Sequence, residues 1–566
     1  MRNVTWGALA ALIAFVGPAT AQDVRHGTAG AYLAARQASF ENDYRAAAQF
    51  YVEALARDPL NMAHMENAMS AHIALGEFKH AEALGRRMLA SGSNSQIAHM
   101  AVLTGEALAG DFDDLLAGFE AGTRVGPLVD NLLKAWARVG AGDAEGGLAT
   151  FDSIAESDGL RPFAFHQKAL ALAYMGDFSA ADDILSGRAG GPMPENRRGL
   201  MGRVMVLSQL GENELARAEI GRVMGMDLDA TFSDFDRRLA AGEALPFSIV
   251  TSATDGMAEV FYTISSALNG EAADSYALLY ARLAEALDPT HIDALLLSAD
   301  YLERLDRPEL ATATYDRVPR EAPEFITAEL GRADALRAAQ RPDAAVEALH
   351  QLAKTYPEVP AIHAKLGDTL RRMKRYDEAV VAYDAALRLH IAVAPEHWFT
   401  YFARGISHER EDNWDAAEED FWMALDLHPD QPQVLNYLGY SLVEKNTRLD
   451  EALGLIEKAA TLRPDNGHIL DSLGWVLYRL GRYEEAVGPM EAAVELMATD
   501  PIINDHLGDV YRSVGRHFEA HFQCHRALSF GPEEDDAIRI RRKIDLGLDV
   551  VLEEEAADTM TVATDG

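Results

Sequence analysis

The stretch HFEAHFQCH, residues 517–525, places His517, His521, Cys524 and His525 at i, i+4, i+7 and i+8. On an α-helix these positions share one face, and imidazole and thiolate groups so arranged can hold a zinc ion. The same residues have a plainer reading. Cys524 lies between Ala520 and Ala527 at the spacing of a helix-packing position, where a small thiol packs as a hydrophobe. The four residues are therefore a weak metal candidate only, and the sequence assigns no cofactor.

Other chemistry is absent from the motifs. There is no Gly-Lys pair, hence no phosphate loop of the Walker type, and neither HExxH nor GxSxG occurs. GAGDAEGG at 140–147 approaches a dinucleotide fingerprint, but its third glycine is off by one residue and helical patterns flank it. It reads as a turn between helices. No catalytic residue is assigned, and the chain is expected not to be an enzyme.

The elements that carry these residues recur. Leu438-Gly439, Leu473-Gly474 and Leu507-Gly508 are spaced by 35 and 34 residues, with Gly405 and Leu366-Gly367 before them. Twelve or thirteen residues after each glycine stands a small residue: Ala379, Ala417, Ala452, Ala486, Ala520. Four further on is a bulkier one: Tyr383, Phe421, Ile456, Met490, Cys524. Prolines such as Pro357, Pro429, Pro464 and Pro532 close the units. Spacings of three, four and seven put apolar groups on one helical face, and small residues let two helices approach closely. One such hairpin cannot bury its apolar face alone, so the unit must stack on copies of itself.

This pattern resembles the tetratricopeptide repeat (TPR) family, with LGDTLRRMKRYDEAVVAYDAAL (366–387) and LGDVYRSVGRHFEAHFQCHRAL (507–528) as its strongest copies. The resemblance implies an all-α, right-handed superhelical solenoid of about fourteen helix pairs. Degenerate copies fill 22–226, for example AYLAARQASFENDYRAAAQFYVEALARDP at 31–59. Residues 227–255 break the rhythm and are expected to be an irregular connector. A second array is expected over 256–532, a capping helix over 533–552 and a disordered tail over 553–566.

In the TPR family, positions one after the repeat glycine and three before it tend to face the concave groove. Carried over here, they give Asp368, Phe402, Ile406, Asn436, Tyr440, Asp471, Trp475, Asp505 and Asp509 as the expected protein-binding residues. Relatives that hold a carboxyl terminus use a lysine–asparagine clamp. The matching positions here carry acids, which would repel a carboxylate.

Acidic residues exceed basic ones, 89 against 51, for a formal charge of −38. Such a balance disfavours nucleic acid or an anionic membrane as a partner. The first residues, MRNVTWGALAALIAFVGPATAQD, combine Arg2, an apolar run and Ala19-Thr20-Ala21. They are expected to be a signal peptide (1–21) cleaved after Ala21, giving a periplasmic protein. Cys524 is the single cysteine, so no internal disulfide and no lipid-bearing cysteine near the cleavage site are expected. The apolar run is short for a membrane span, and no later stretch qualifies.

The segment from Asn436 to Ala520 looks like a group of Gram-negative envelope TPR proteins. One member is an outer-membrane lipoprotein adaptor that holds a carboxyl-terminal processing protease and its substrates. The resemblance implies a non-catalytic scaffold or adaptor for proteins of the cell envelope, with such a protease and its substrates as partners. The alternative is an assembly scaffold for envelope or secretion machinery without a protease.

Overall fold

Each repeat glycine sits where its helix meets a bulky side chain of the next one. A Cβ at Gly367 would stand 2.6 Å from the Tyr383 ring, at Gly405 2.7 Å from Phe421, and at Gly439 2.7 Å from Ile456. At Gly474 it would stand 2.5 Å from Met490, and at Gly508 2.9 Å from the Cys524 sulfur. The glycine is thus a seat for the bulky residue of its own hairpin, and the pairing read from spacing is the packing of the protein. Tyr383, Phe421, Ile456 and Met490 are almost fully buried there.

The computed structural model describes residues 28–157, 159–225, 228–390 and 392–554. These form α-helices from Thr28–Phe40 to Glu534–Leu546, one 3-10 turn at Pro395–His397, and no strand. The fold is an all-α array of helix hairpins. The expected signal peptide lies outside the described residues, as does the expected disordered tail except for Glu553 and Glu554, which are helical. Among the described residues no helix is long and apolar enough to cross a membrane.

The hairpin turns share one device. The residue that ends the first helix adopts a left-handed conformation, as at Gly76 (φ 75°) and Gly481 (φ 74°), and so reverses the chain. Asn42, Asp306, Lys374 and Asp412 do the same with a side chain. GAGDAEGG is such a turn: it joins helices Pro127–Gly140 and Ala144–Ala155 through Gly142 (φ 89°).

Two compact units divide the chain between Ala345 and Val346. The boundary does not fall at the expected connector 227–255, for two reasons. First, that segment contains a helix, Ala230–Ala240, started by Asp229, whose side chain accepts from the Phe232 amide. Second, the helices after it, Ala253–Leu268 and Asp274–Leu287, pack back onto the array before them. Ala253–Leu268 lies against the first helices of three hairpins, Gln96–Ala109, Pro127–Gly140 and Arg161–Tyr174. Asp274–Leu287 lies against Met62–Ala74 and Gln96–Ala109.

Polar groups fix this fold-back. Thr254 donates to the Ala107 carbonyl at 3.1 Å, and Arg282 to the Ala74 carbonyl at 3.1 Å. Gln96 bonds both Tyr276 and Tyr280 at 3.2 Å. Glu259, fully buried, is held by Arg198 and by His291 at 3.1 Å. Burial opposes its charge, yet the Arg198 guanidinium first, and the His291 imidazole beside it, hold the Glu259 carboxyl far below the usual range.

In the second unit the final described helices close the array. Helix Glu534–Leu546 packs on Pro501–Ser513 and His517–Ser529 through Ala537, Ile540 and Lys543. Gly547 (φ 93°) then breaks the chain before a last helical stretch, 548–554, so the expected cap over 533–552 is two pieces.

Candidate protein-binding surface

In the first unit, residues 253–287 cover the first helices of four hairpins, Met62–Ala74, Gln96–Ala109, Pro127–Gly140 and Arg161–Tyr174. In the second unit, the corresponding helices are Pro360–Arg372, Trp398–Arg410, Pro432–Glu444, Gly467–Arg479 and Pro501–Ser513. All nine expected groove residues lie on them.

The structure gathers three of the nine, Tyr440, Asp471 and Trp475, into one cluster. Tyr440 is half-buried beside Glu444 and Asp471; burial first, then these two carboxylates, push its hydroxyl pKa up. Trp475 donates its indole N–H to Glu444 at 2.9 Å. Its ring is sandwiched between Tyr478 (centroids 4.8 Å apart, 9° between planes) and His506 (4.0 Å, 13°). His506 Nδ1 lies 3.0 Å from Asp471. Asn436, on the same helix as Tyr440, keeps a buried Oδ1 with no hydrogen-bond partner.

The other five go elsewhere. Phe402 is a core residue, 7% exposed and packed between Phe421 and Tyr437. Ile406 is half-buried against the same core. Asp368 accepts from the Tyr383 hydroxyl at 2.7 Å, so it serves its own hairpin. Asp505 and Asp509 are closed over by the terminal helix: Lys543 Nζ lies 2.6 Å from Asp505 and 2.7 Å from Asp509. Both carboxylates are buried, because the terminal helix occupies the place that a further repeat would take.

Asp471, Trp475 and His506 are all only 7–8% exposed, so they support the cluster from within, while half-buried Tyr440 and Tyr478 and exposed Glu444 present its edges. Glu409, Glu444, Tyr478 and His506 were not among the expected residues. Glu409 accepts from Tyr437 at 2.6 Å and Ser441 at 2.8 Å, joining adjacent repeats. Glu409 and Tyr478 each stand four residues after a repeat glycine and Glu444 five, one further helical turn along the face. The face is aromatic and acidic.

The candidate metal cluster at 517–525 does not form a donor set. Cys524 is buried against Gly508, and burial pushes its thiol up to about 12. His517, His521 and His525 are exposed, with the His521 and His525 rings 4.4 Å apart. Thiol and imidazoles point to different surroundings because the sulfur is taken by the hairpin interface.

Residues 330–396, 402–467 and 444–501 match the tetratricopeptide repeat family. A TPR repeat-containing protein of Pseudomonas aeruginosa is 39% identical over 88 residues, which are 16% of this chain and 15% of that protein's own length. Among solved structures, a chain of the APC/C hetero-tetramer Cut9–Hcn1 is 15% identical with a TM-score of 0.38, covering 92% of this chain and 96% of its own. YrrB, described as a TPR protein with an unusual peptide-binding site, is 19% identical with a TM-score of 0.28, covering 35% and 99%. A tetratricopeptide repeat protein from Parabacteroides merdae is 13% identical with a TM-score of 0.36, covering 45% and 97%. The repeat read from the Leu-Gly spacing is thus supported as the tetratricopeptide repeat, over residues 330–396 and 402–501.

Proposed function

We propose that the protein is a non-catalytic scaffold or adaptor of the bacterial periplasm that binds other proteins through the second unit. TPR proteins mediate protein–protein interactions, and the reading specifies where this chain does so. The observation that carries it is the cluster of Tyr440, Glu444, Asp471, Trp475, Tyr478 and His506, which crosses three successive first helices. Aromatic edges and carboxylates on one face suit an extended segment or loop with basic character. Four first helices of the N-terminal array have this face filled by their own chain, which favours the second unit for binding.

The leader at 1–21 supports export, and the residues from Asn436 to Ala520 support a role in the cell envelope. Within that role, the chain presents substrates to a carboxyl-terminal processing protease. Affinity capture tests this: the chain from Gln22 is immobilised, periplasmic extract is passed over it, and a Tyr440→Ala/Asp471→Asn variant serves as the control. A processing protease retained by the wild type and lost from the variant is the expected result. Envelope assembly proteins retained without a protease would move the assignment to an assembly scaffold. Equal retention by both chains would remove this face from the proposal.

A further inference from the structure

His72, Glu77 and His80 stand apart from the binding face, beside the fold-back contact of Arg282 with Ala74. They lie on either side of one hairpin turn, between helices Met62–Ala74 and Phe78–Ala90. That turn is tightly held. The Gly76 amide donates to the Ile73 carbonyl at 2.9 Å, and the Glu77 amide donates to the His72 carbonyl at 2.8 Å. Residues 72 and 77 are therefore the two ends of one closed backbone loop, with their side chains forced together.

Glu77 occupies the position that starts the second helix but makes no capping hydrogen bond. Asp43, Asn61, Asp143 and Asp177 stand at the same position of other helices and cap them with their side chains. The Glu77 carboxylate instead turns to His72 Nδ1, 2.8 Å away. His80, one turn into the helix, lays its ring over that of His72, with centroids 5.1 Å apart and planes 26° from parallel. One donor atom from each residue lies within 4.8 Å of the other two, and among the described residues this is the His/Cys/Asp/Glu group that meets such a distance.

We propose that His72, Glu77 and His80 form a binding site for a divalent transition-metal ion of the zinc class. Two imidazoles and one carboxylate are a donor set that zinc takes with a fourth position left to water. Magnesium and calcium prefer oxygen ligands throughout and fit it poorly. A tetrahedral zinc ion with ligands at roughly 2.0–2.2 Å holds its donors about 3.5 Å apart. Closing the site needs movements of about an ångström, and Glu77 and His80 are exposed side chains free to make them. His72 is the buried anchor, 8% exposed.

The open side of the cluster faces a cleft of about 900 Å³ lined by Glu77, His80 and Glu82. Arg282 and Arg317 also line it, and both are paired with the buried carboxylate of Glu285, which limits their repulsion of a cation. The bound ion would clip the two helices of the hairpin together across their turn.

The test uses the chain from Gln22, stripped with a chelator and dialysed against zinc sulfate, with bound metal counted by elemental analysis. The wild type is expected to retain one zinc ion that His80→Ala and Glu77→Gln each lose. His521→Ala is expected to retain it, which separates this site from the surface histidines at 517–525. Zinc should also raise the melting temperature of the wild type and not that of His80→Ala, while the two metal-free proteins melt alike. Magnesium should produce neither effect. Retention of the ion by both His80→Ala and Glu77→Gln, or its absence from the wild type, would overturn the site and leave His72–Glu77 as a structural hydrogen bond.

Discussion

The backbone of Gly256 lies directly on the indole of Trp136: a Cβ built at Gly256 would stand 2.3 Å from the ring. Trp136 is itself fully buried, its N–H donated to Gln167 at 2.8 Å. This contact brings helix Ala253–Leu268 onto the first helices of the N-terminal array. Alanine is a better helix former than glycine by about 1 kcal/mol, but forcing a methyl into a packed site costs typically about 1–3 kcal/mol. The ring cannot swing away without losing its bond to Gln167. Gly256→Ala is therefore expected to lower stability by up to about 2 kcal/mol, seen as a lower urea midpoint. A midpoint equal to wild type would show that the helix does not need this approach.

The repeat glycines give a graded comparison. At Gly405 an added methyl meets Phe421, whose ring is enclosed by Phe402, Trp414 and Tyr437. At Gly474 it meets Met490, an unbranched side chain that can repack. With a gain of about 1 kcal/mol in helix propensity counted for both, Gly405→Ala is expected to cost up to about 2 kcal/mol and Gly474→Ala less, because Met490 can change rotamer and the enclosed Phe421 ring cannot. Thermal melts of the two variants check the order, and the reverse order would contradict the seating of Phe421.

The same pairs show what the sequence could reveal. Gly367 with Tyr383, or Gly405 with Phe421, are partners within one hairpin, so their spacing is fixed by helix geometry and visible as a period. The surroundings of the groove positions could not be read where the decisive neighbour is remote. Asp505 and Asp509 are closed by Lys543, 38 and 34 residues away, and no periodic rule places a lysine there. Trp475 is covered by His506 of the following repeat. The filled face of the N-terminal array depends on contacts such as Thr254 to Ala107, 147 residues apart, which a hairpin-by-hairpin reading cannot contain.

Lys543 carries its own test. Its side chain is 2% exposed and its ammonium sits between Asp505 and Asp509, with Arg539 3.6 and 3.7 Å from them. Removing one partner of a buried ion pair typically costs about 3–5 kcal/mol, because the remaining charge is left uncompensated. Lys543→Met should therefore strongly destabilise the second unit. Adding Asp505→Asn and Asp509→Asn should restore part of the loss, since it removes the stranded charges. Urea titration of the single and triple variants decides the matter; a single variant as stable as wild type would mean that the ion pair does not hold the terminal helix.

His506 links the binding face to pH. Burial opposes a charged imidazole, but the Asp471 carboxylate, by charge and by hydrogen bond, outweighs this with support from Asp505 and Asp509. The His506 pKa is held above the usual histidine value, so the folded state binds this proton more tightly than the unfolded chain. The resulting stability is fully present below about pH 6.5, the value of an unfolded histidine, and is lost as pH rises through the raised folded value. His506→Gln keeps a polar planar group under Trp475 but cannot titrate. Urea midpoints measured from mildly acidic to mildly alkaline pH should fall more steeply in wild type than in the variant. Parallel profiles would show that the fold leaves the His506 pKa where it is in the unfolded chain, and that the Asp471 carboxylate does not hold the proton on the imidazole.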